Sequence, residues 1–131
     1  MILVDTTIWI DHLRRGDHTL AACLDDGQVL MHPLILGELA CGNLRNRAQL
    51  LALWRRLPQA LLATDTEVLY FIEQWRLAGK GIGYVDAHLL TSVRISGASG
   101  IWTRDRRVAD VAAALGCYVQ PDDPGGHIHE P

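Results

Sequence analysis

The chain is short of several things at once. It has one lysine, Lys80, one phenylalanine and three cysteines, and each scarcity excludes something. Cys23, Cys41 and Cys117 are odd in number, widely spaced and form no C-x-x-C pair. Neither a disulfide framework nor a zinc site is therefore indicated, and they read as three small buried thiols. No apolar run approaches the ~20 residues of a membrane span. The opening MILVD lacks the basic flank, long apolar stretch and small-residue cleavage site of a secretory signal, so a cytoplasmic protein with no membrane association is expected. Strong basicity is missing too: a net charge of −3 argues against a domain that coats nucleic acid by bulk electrostatics. Any such contact must be local, and arginines do cluster, at Arg14 and Arg15, Arg45 and Arg47, Arg55 and Arg56, and Arg104, Arg106 and Arg107.

What is present suits one domain with one core. The length is 131 residues and the hydrophobic share 49%, so aliphatics and four tryptophans fill the interior. MILVD, QVLMH, QALLA, SGIWT and CYVQ read as short strands. Between them lie helical segments. TIWIDHLRR is closed by Gly16, HTLAACLDD stops at Gly27, and Pro33 suits the first position of PLILGELACG. NRAQLLALWRRL sets Leu50, Leu53, Trp54 and Leu57 on one face, and DTEVLYFIEQWRLAG does the same with Val68, Ile72 and Trp75. VDAHLLTSVRISG follows the glycine-bearing loop KGIGY, and RDRRVADVAAALG keeps Val108, Val111, Ala112 and Leu115 in register. Strands separated by helices imply parallel pairing. The expected fold is α/β: a three-layer α/β/α sandwich with a short, mainly parallel sheet, over residues 1–120. Residues 121–131, PDDPGGHIHEP, read as a flexible tail, in which the H-x-H of His127 and His129 carries no metal assignment.

Four acids stand out by placement. In an open parallel sheet, strand ends at the carboxyl edge face a common crevice where ligands bind. Asp5 ends the first strand, Asp105 lies just past GIWT, Asp86 follows GIGYV and opens a helix, and Glu38 is the only charge between Pro33 and Arg45. Singly, each Asp is explained as a helix cap worth ~1 kcal/mol, and Glu38 as a solvent-facing side chain. Jointly they suggest one site, and capping and ligation are compatible, since a helix N-terminus favours an ionised carboxylate.

The stretches VDTTIWIDHLR, PLILGELACGNLRNR, GIGYVDAHLLTSV and WTRDRRVADVAAALG resemble, in order, the successive blocks of the PIN-domain family, most closely its VapC toxin branch. The resemblance runs to about Val119. It implies an α/β/α sandwich whose acidic positions match Asp5, Glu38, Asp86 and Asp105, with Thr6 and Thr103 as accompanying hydroxyls. It further implies an endoribonuclease that cuts RNA with water, leaving a 5′-phosphate and a 3′-hydroxyl. The implied partners are a small VapB-like antitoxin that inhibits it and a second copy in a homodimer, with DNA reached only through the antitoxin.

The chemistry agrees with the residue types. Two carboxylates about 4 Å apart repel by about 4 kcal/mol at an effective dielectric near 20, so a cluster of four calls for a cation. Hard oxygen donors suit Mg²⁺, with Mn²⁺ as a substitute, held by Asp5, Asp86 and Asp105; such an ion supports phosphodiester hydrolysis without a Ser, Cys or His nucleophile. Arg104 and its basic neighbours are assigned to the RNA backbone. His88, two residues after Asp86, reads as packing or as a proton donor, and Asp11 and Asp110 as solvent-facing. Two rival readings stand beside this one: a metal-dependent phosphatase, which wants D-x-D where position 7 is Thr, and a catalytically silent PIN-like module that grips a protein partner.

Overall fold

The computed structural model describes residues 1–122. Strand β1 (Ile2–Val4) leads through helices α1 (Thr6–Arg15) and α2 (His18–Asp25) to β2 (Val29–Leu30). Helices α3 (Pro33–Ala40), α4 (Arg47–Arg56), α5 (Asp65–Gln74) and α6 (Tyr84–Ser96) precede β3 (Gly100–Trp102), and α7 (Arg106–Ala114) follows. The sheet order is β2-β1-β3 with both pairings parallel, Leu3 registering with Leu30 on one side and Ile101 on the other.

Successive side chains of a strand point to opposite faces, and Leu3, Val4, Val29, Leu30, Ile101 and Trp102 are all buried. Both faces of the sheet are therefore covered, as an α/β/α sandwich requires. Fully buried Leu3, Ile8, Ile35 and Ile101 each contribute roughly 1.5–3 kcal/mol relative to exposure.

Two expected strands shrink to single bridges. Gln59 pairs with Met31 outside β2, and Tyr118 with Ile101 outside β3. At the first, Met31 N–H donates to the Pro58 carbonyl and Ala60 N–H to the Met31 carbonyl, and on its other side the segment is tied to α6, where Leu61 N–H donates to Ser96 Oγ at 2.9 Å. At the second, the 117–119 backbone comes so close that a Cβ on Gly100 would collide with the Cys117 carbonyl.

The helices largely follow their apolar spacing. Gly16, at φ 74°, closes α1, and Val108, Val111 and Ala112 of α7 are buried. On α4, Trp54 is buried while Leu53 is exposed, and on α5 Phe71 takes the buried place expected of Trp75. The cysteines differ from expectation, with Cys41 exposed and Cys23 and Cys117 half-buried. Among the described residues, no helix is long and apolar enough to cross a membrane.

Candidate active site

Strands β1 and β3 lie side by side and end at the same edge. Asp5 N–H continues their ladder to the Trp102 carbonyl at 2.9 Å. Asp5 occupies the N-cap of α1 but makes no capping bond. Its carboxylate is buried, and Oδ2 instead accepts from Thr103 Oγ1 at 2.7 Å and Thr7 Oγ1 at 3.2 Å. Thr103 Oγ1 in turn accepts from Asp105 N–H at 3.0 Å, and Thr7 Oγ1 from Arg104 N–H at 3.0 Å. The two threonines thus lace the β1–α1 and β3–α7 junctions together. Thr103 takes the place the family resemblance implies, while beside Asp5 it is Thr7, the second of the doubled threonines, that meets the carboxylate and Thr6 that meets Glu38.

Asp105 does cap its helix, Oδ1 accepting from Arg107 and Val108 N–H at 3.0 and 3.2 Å. Asp86 lies in the first turn of α6, where Oδ2 accepts from Gly83 N–H at 2.9 Å. Glu38 is exposed on α3, and its Oε1 accepts from Thr6 Oγ1 at 3.1 Å. In each of the four acids one oxygen is fixed by a hydrogen-bond donor, and among the described residues the other has no hydrogen bond. Burial pushes the Asp86 carboxyl above the usual range; the Gly83 N–H opposes this, and the charges of Asp5 and Asp105 add to it. Three acids from three elements therefore share one electrostatic field, with Glu38 joined to the β1–α1 junction through Thr6. They do not close a coordination shell: among the described residues, no three His, Cys, Asp or Glu side chains converge tightly enough to hold an ion as they stand. The free oxygens and the mutual repulsion are nevertheless the donor set and the field that suit a hard divalent cation.

The other expected roles are revised. Arg104 is tied down within the protein, Nε to Asp11 Oδ2 at 2.6 Å and Nη2 to Asp17 Oδ2 at 2.9 Å, and so is not free for a substrate backbone. Asp11, expected to face solvent, holds this pair and lies 3.6 Å from Arg15. Asp110 is exposed. His88 is buried and meets Asp65 Oδ1 at 3.2 Å, an oxygen that also accepts from Tyr84 OH at 2.6 Å. It braces α6 against α5. His127 and His129 lie outside the described residues.

Parallel strands between flanking helices, with Asp5 and Asp105 at the carboxyl edge, make a PIN-type fold, and the chain belongs to the PIN-domain family, whose model matches residues 2–114. Over 116 residues it is 44% identical to the ribonuclease VapC32 of Mycobacterium tuberculosis, spanning 88% of this chain and 94% of that one, which places it in the VapC branch. Two solved structures share the fold at low identity. The Mycobacterium tuberculosis toxin VapC20, described as cleaving the sarcin–ricin loop, superposes with a TM-score of 0.61 at 22% identity, over 92% of this chain and all of that one. FitAcB from Neisseria gonorrhoeae gives 0.61 at 20%, over 92% and 98%.

Proposed function

We propose that the chain is a divalent-metal-dependent endoribonuclease, the cytoplasmic toxin of a toxin–antitoxin pair. The single observation that carries this reading is the shared pattern of the four acids. Each has one oxygen anchored and one uncommitted, and Asp86 feels the charges of Asp5 and Asp105. Asp5, Asp86 and Asp105 would hold Mg²⁺ or Mn²⁺, with Glu38 completing the acidic set. A bound ion supplies Lewis acidity toward a phosphoryl oxygen and a water of lowered pKa. The chain's own part is positioning. Thr103 and Thr7 orient the Asp5 carboxylate, Thr6 orients Glu38, and the helix starts of α6 and α7 orient Asp86 and Asp105, so that the uncommitted oxygens are left to close on the ion. The nuclease unit is taken to run through residue 120, and the products to carry 5′-phosphate and 3′-hydroxyl ends.

The remaining partners follow from relatives. The 44% identity to a VapC ribonuclease and a FitAB neighbour solved on a DNA fragment support an inhibitory VapB-like antitoxin; contact with DNA only through that antitoxin, and a second copy in a homodimer, are proposed with it. The test is cleavage of total RNA by the purified protein. Cleavage is expected with Mg²⁺ and not with EDTA, and to be lost in Asp86→Asn. Equal cleavage by that variant would contradict the assignment.

A further inference from the structure

With Arg104 held by two aspartates, the acidic cleft needs another feature to attract a polyanion. A groove of about 430 Å³ lies between α7 and the turn after α5, walled by Trp75, Leu77, Lys80, Arg107, Val111 and Asp110. We propose that this groove, resting on the nuclease reading above, is a nucleotide subsite that takes the RNA beside the scissile phosphate, with Trp75 stacking a base and Lys80 and Arg107 flanking the phosphates.

Four observations carry it. Its volume lies within the ~300–1,000 Å³ of small-molecule sites. Two cations face one carboxylate, Asp110, so the groove is net positive in a chain of net charge −3. Among the described residues, neither Lys80 nor Arg107 forms a salt bridge. Trp75 is 42% exposed yet held in place, with the Arg94 guanidinium 4.9 Å from its ring centroid and Phe71 tilted against it at 6.2 Å. Arg94 covers one face of the indole, and the exposed part of the ring that lines the groove is held in place to receive a base at little entropic cost.

The groove also adjoins the acids. Arg107 N–H donates to the capping carboxylate of Asp105, while the Arg107 side chain crosses to the loop that holds Asp86. A Cβ on Gly81 would stand 2.9 Å from Arg107 Cδ, and two residues on, Gly83 N–H binds Asp86 Oδ2. Gly81, at φ 82°, lets that side chain lie flat across the turn. Arg107 therefore reaches from one proposed metal ligand to the loop of another, where a phosphate next to the scissile one would lie.

The test is fluorescence anisotropy of a labelled short single-stranded RNA in EDTA across a salt series, with wild type, Lys80→Ala, Arg107→Ala, Trp75→Leu and the α4 surface control Arg56→Ala. Thermal melts check that each is folded. Lys80→Ala and Arg107→Ala should each lower the slope of log affinity against log salt by about 0.7, and Arg107→Lys should restore it. Trp75→Leu should weaken binding roughly fivefold or more at unchanged slope, and Arg56→Ala should match wild type. If the three groove variants bind as wild type does, the subsite is overturned, as it is if the groove serves an acidic protein segment instead. Cleavage with Mg²⁺ separates the two readings: wild-type cleavage alongside unaffected binding in the variants removes only the subsite, while weakened variants of a protein that never cleaves remove only the nuclease.

Discussion

Strand β1 delivers Asp5 to the N-cap of α1, and its neighbour β3 delivers Asp105 to the N-cap of α7; only the second carboxylate caps. Asp105 takes two N–H groups of its own helix, whereas Asp5 is buried among hydroxyls from both junctions. A strand, an acid and a helix written alike in sequence thus place two carboxylates in different electrostatic settings. The capping explanation holds for Asp105 and fails for Asp5, whose Oδ2 ties the two junctions together through Thr103 and Thr7 while its other oxygen is left uncommitted.

That contrast is sharpened first by activity. Asp5→Asn should lower Mg²⁺-dependent RNA cleavage by at least ~100-fold, since metal-borne charge stabilisation is worth several kcal/mol, while its melting temperature stays near that of wild type because no cap is lost. Steady-state cleavage and a thermal melt on the same sample check both halves.

A third helix start gives a pH effect. His32 caps α3 through Nδ1, which accepts from Leu34 N–H at 3.0 Å, so Nε2 carries the proton toward Ser92 Oγ at 2.9 Å. Burial first, and then the neighbouring His88, hold its pKa down at about 4. The unfolded chain therefore binds more protons between roughly pH 6.5 and 4. Stability should be full above that window and fall by roughly 3 kcal/mol as pH drops through it. Denaturant titrations at several pH values should show that fall in wild type and a flatter profile in His32→Asn, whose side chain also caps.

The smallest effects separate the two junctions by stability alone. Asp105→Ala should cost about 1 kcal/mol while Asp105→Asn, an equally good cap, costs little. Arg104→Ala removes two partly exposed ion pairs and should cost about 1 kcal/mol. Chemical denaturation reads both, and a neutral Asp105→Ala would remove the distinction between the junctions.

The strand-end positions of Asp5 and Asp105, the helix starts and the parallel strands are legible because each is written locally: a turn residue, a cap or an apolar period. What escaped depends on distant partners. Arg104 meets Asp17 across 87 residues, and no local pattern announces that the arginine beside an acid will be neutralised there. His88 finds Asp65 on the preceding helix, and Leu61 gives its N–H to Ser96 on α6. Trp75 kept its period but sits past the end of α5, where the helical face no longer faces the core.

The central claim is that carboxylates distant in sequence act on one divalent ion. Its most direct test is a Mg²⁺ titration followed by thermal melting at neutral pH. Wild type should gain roughly 2.7 kcal/mol at a Mg²⁺ concentration near one hundred times its dissociation constant, and Asp5→Asn should gain much less. An equal gain in both, or none in wild type, would contradict it.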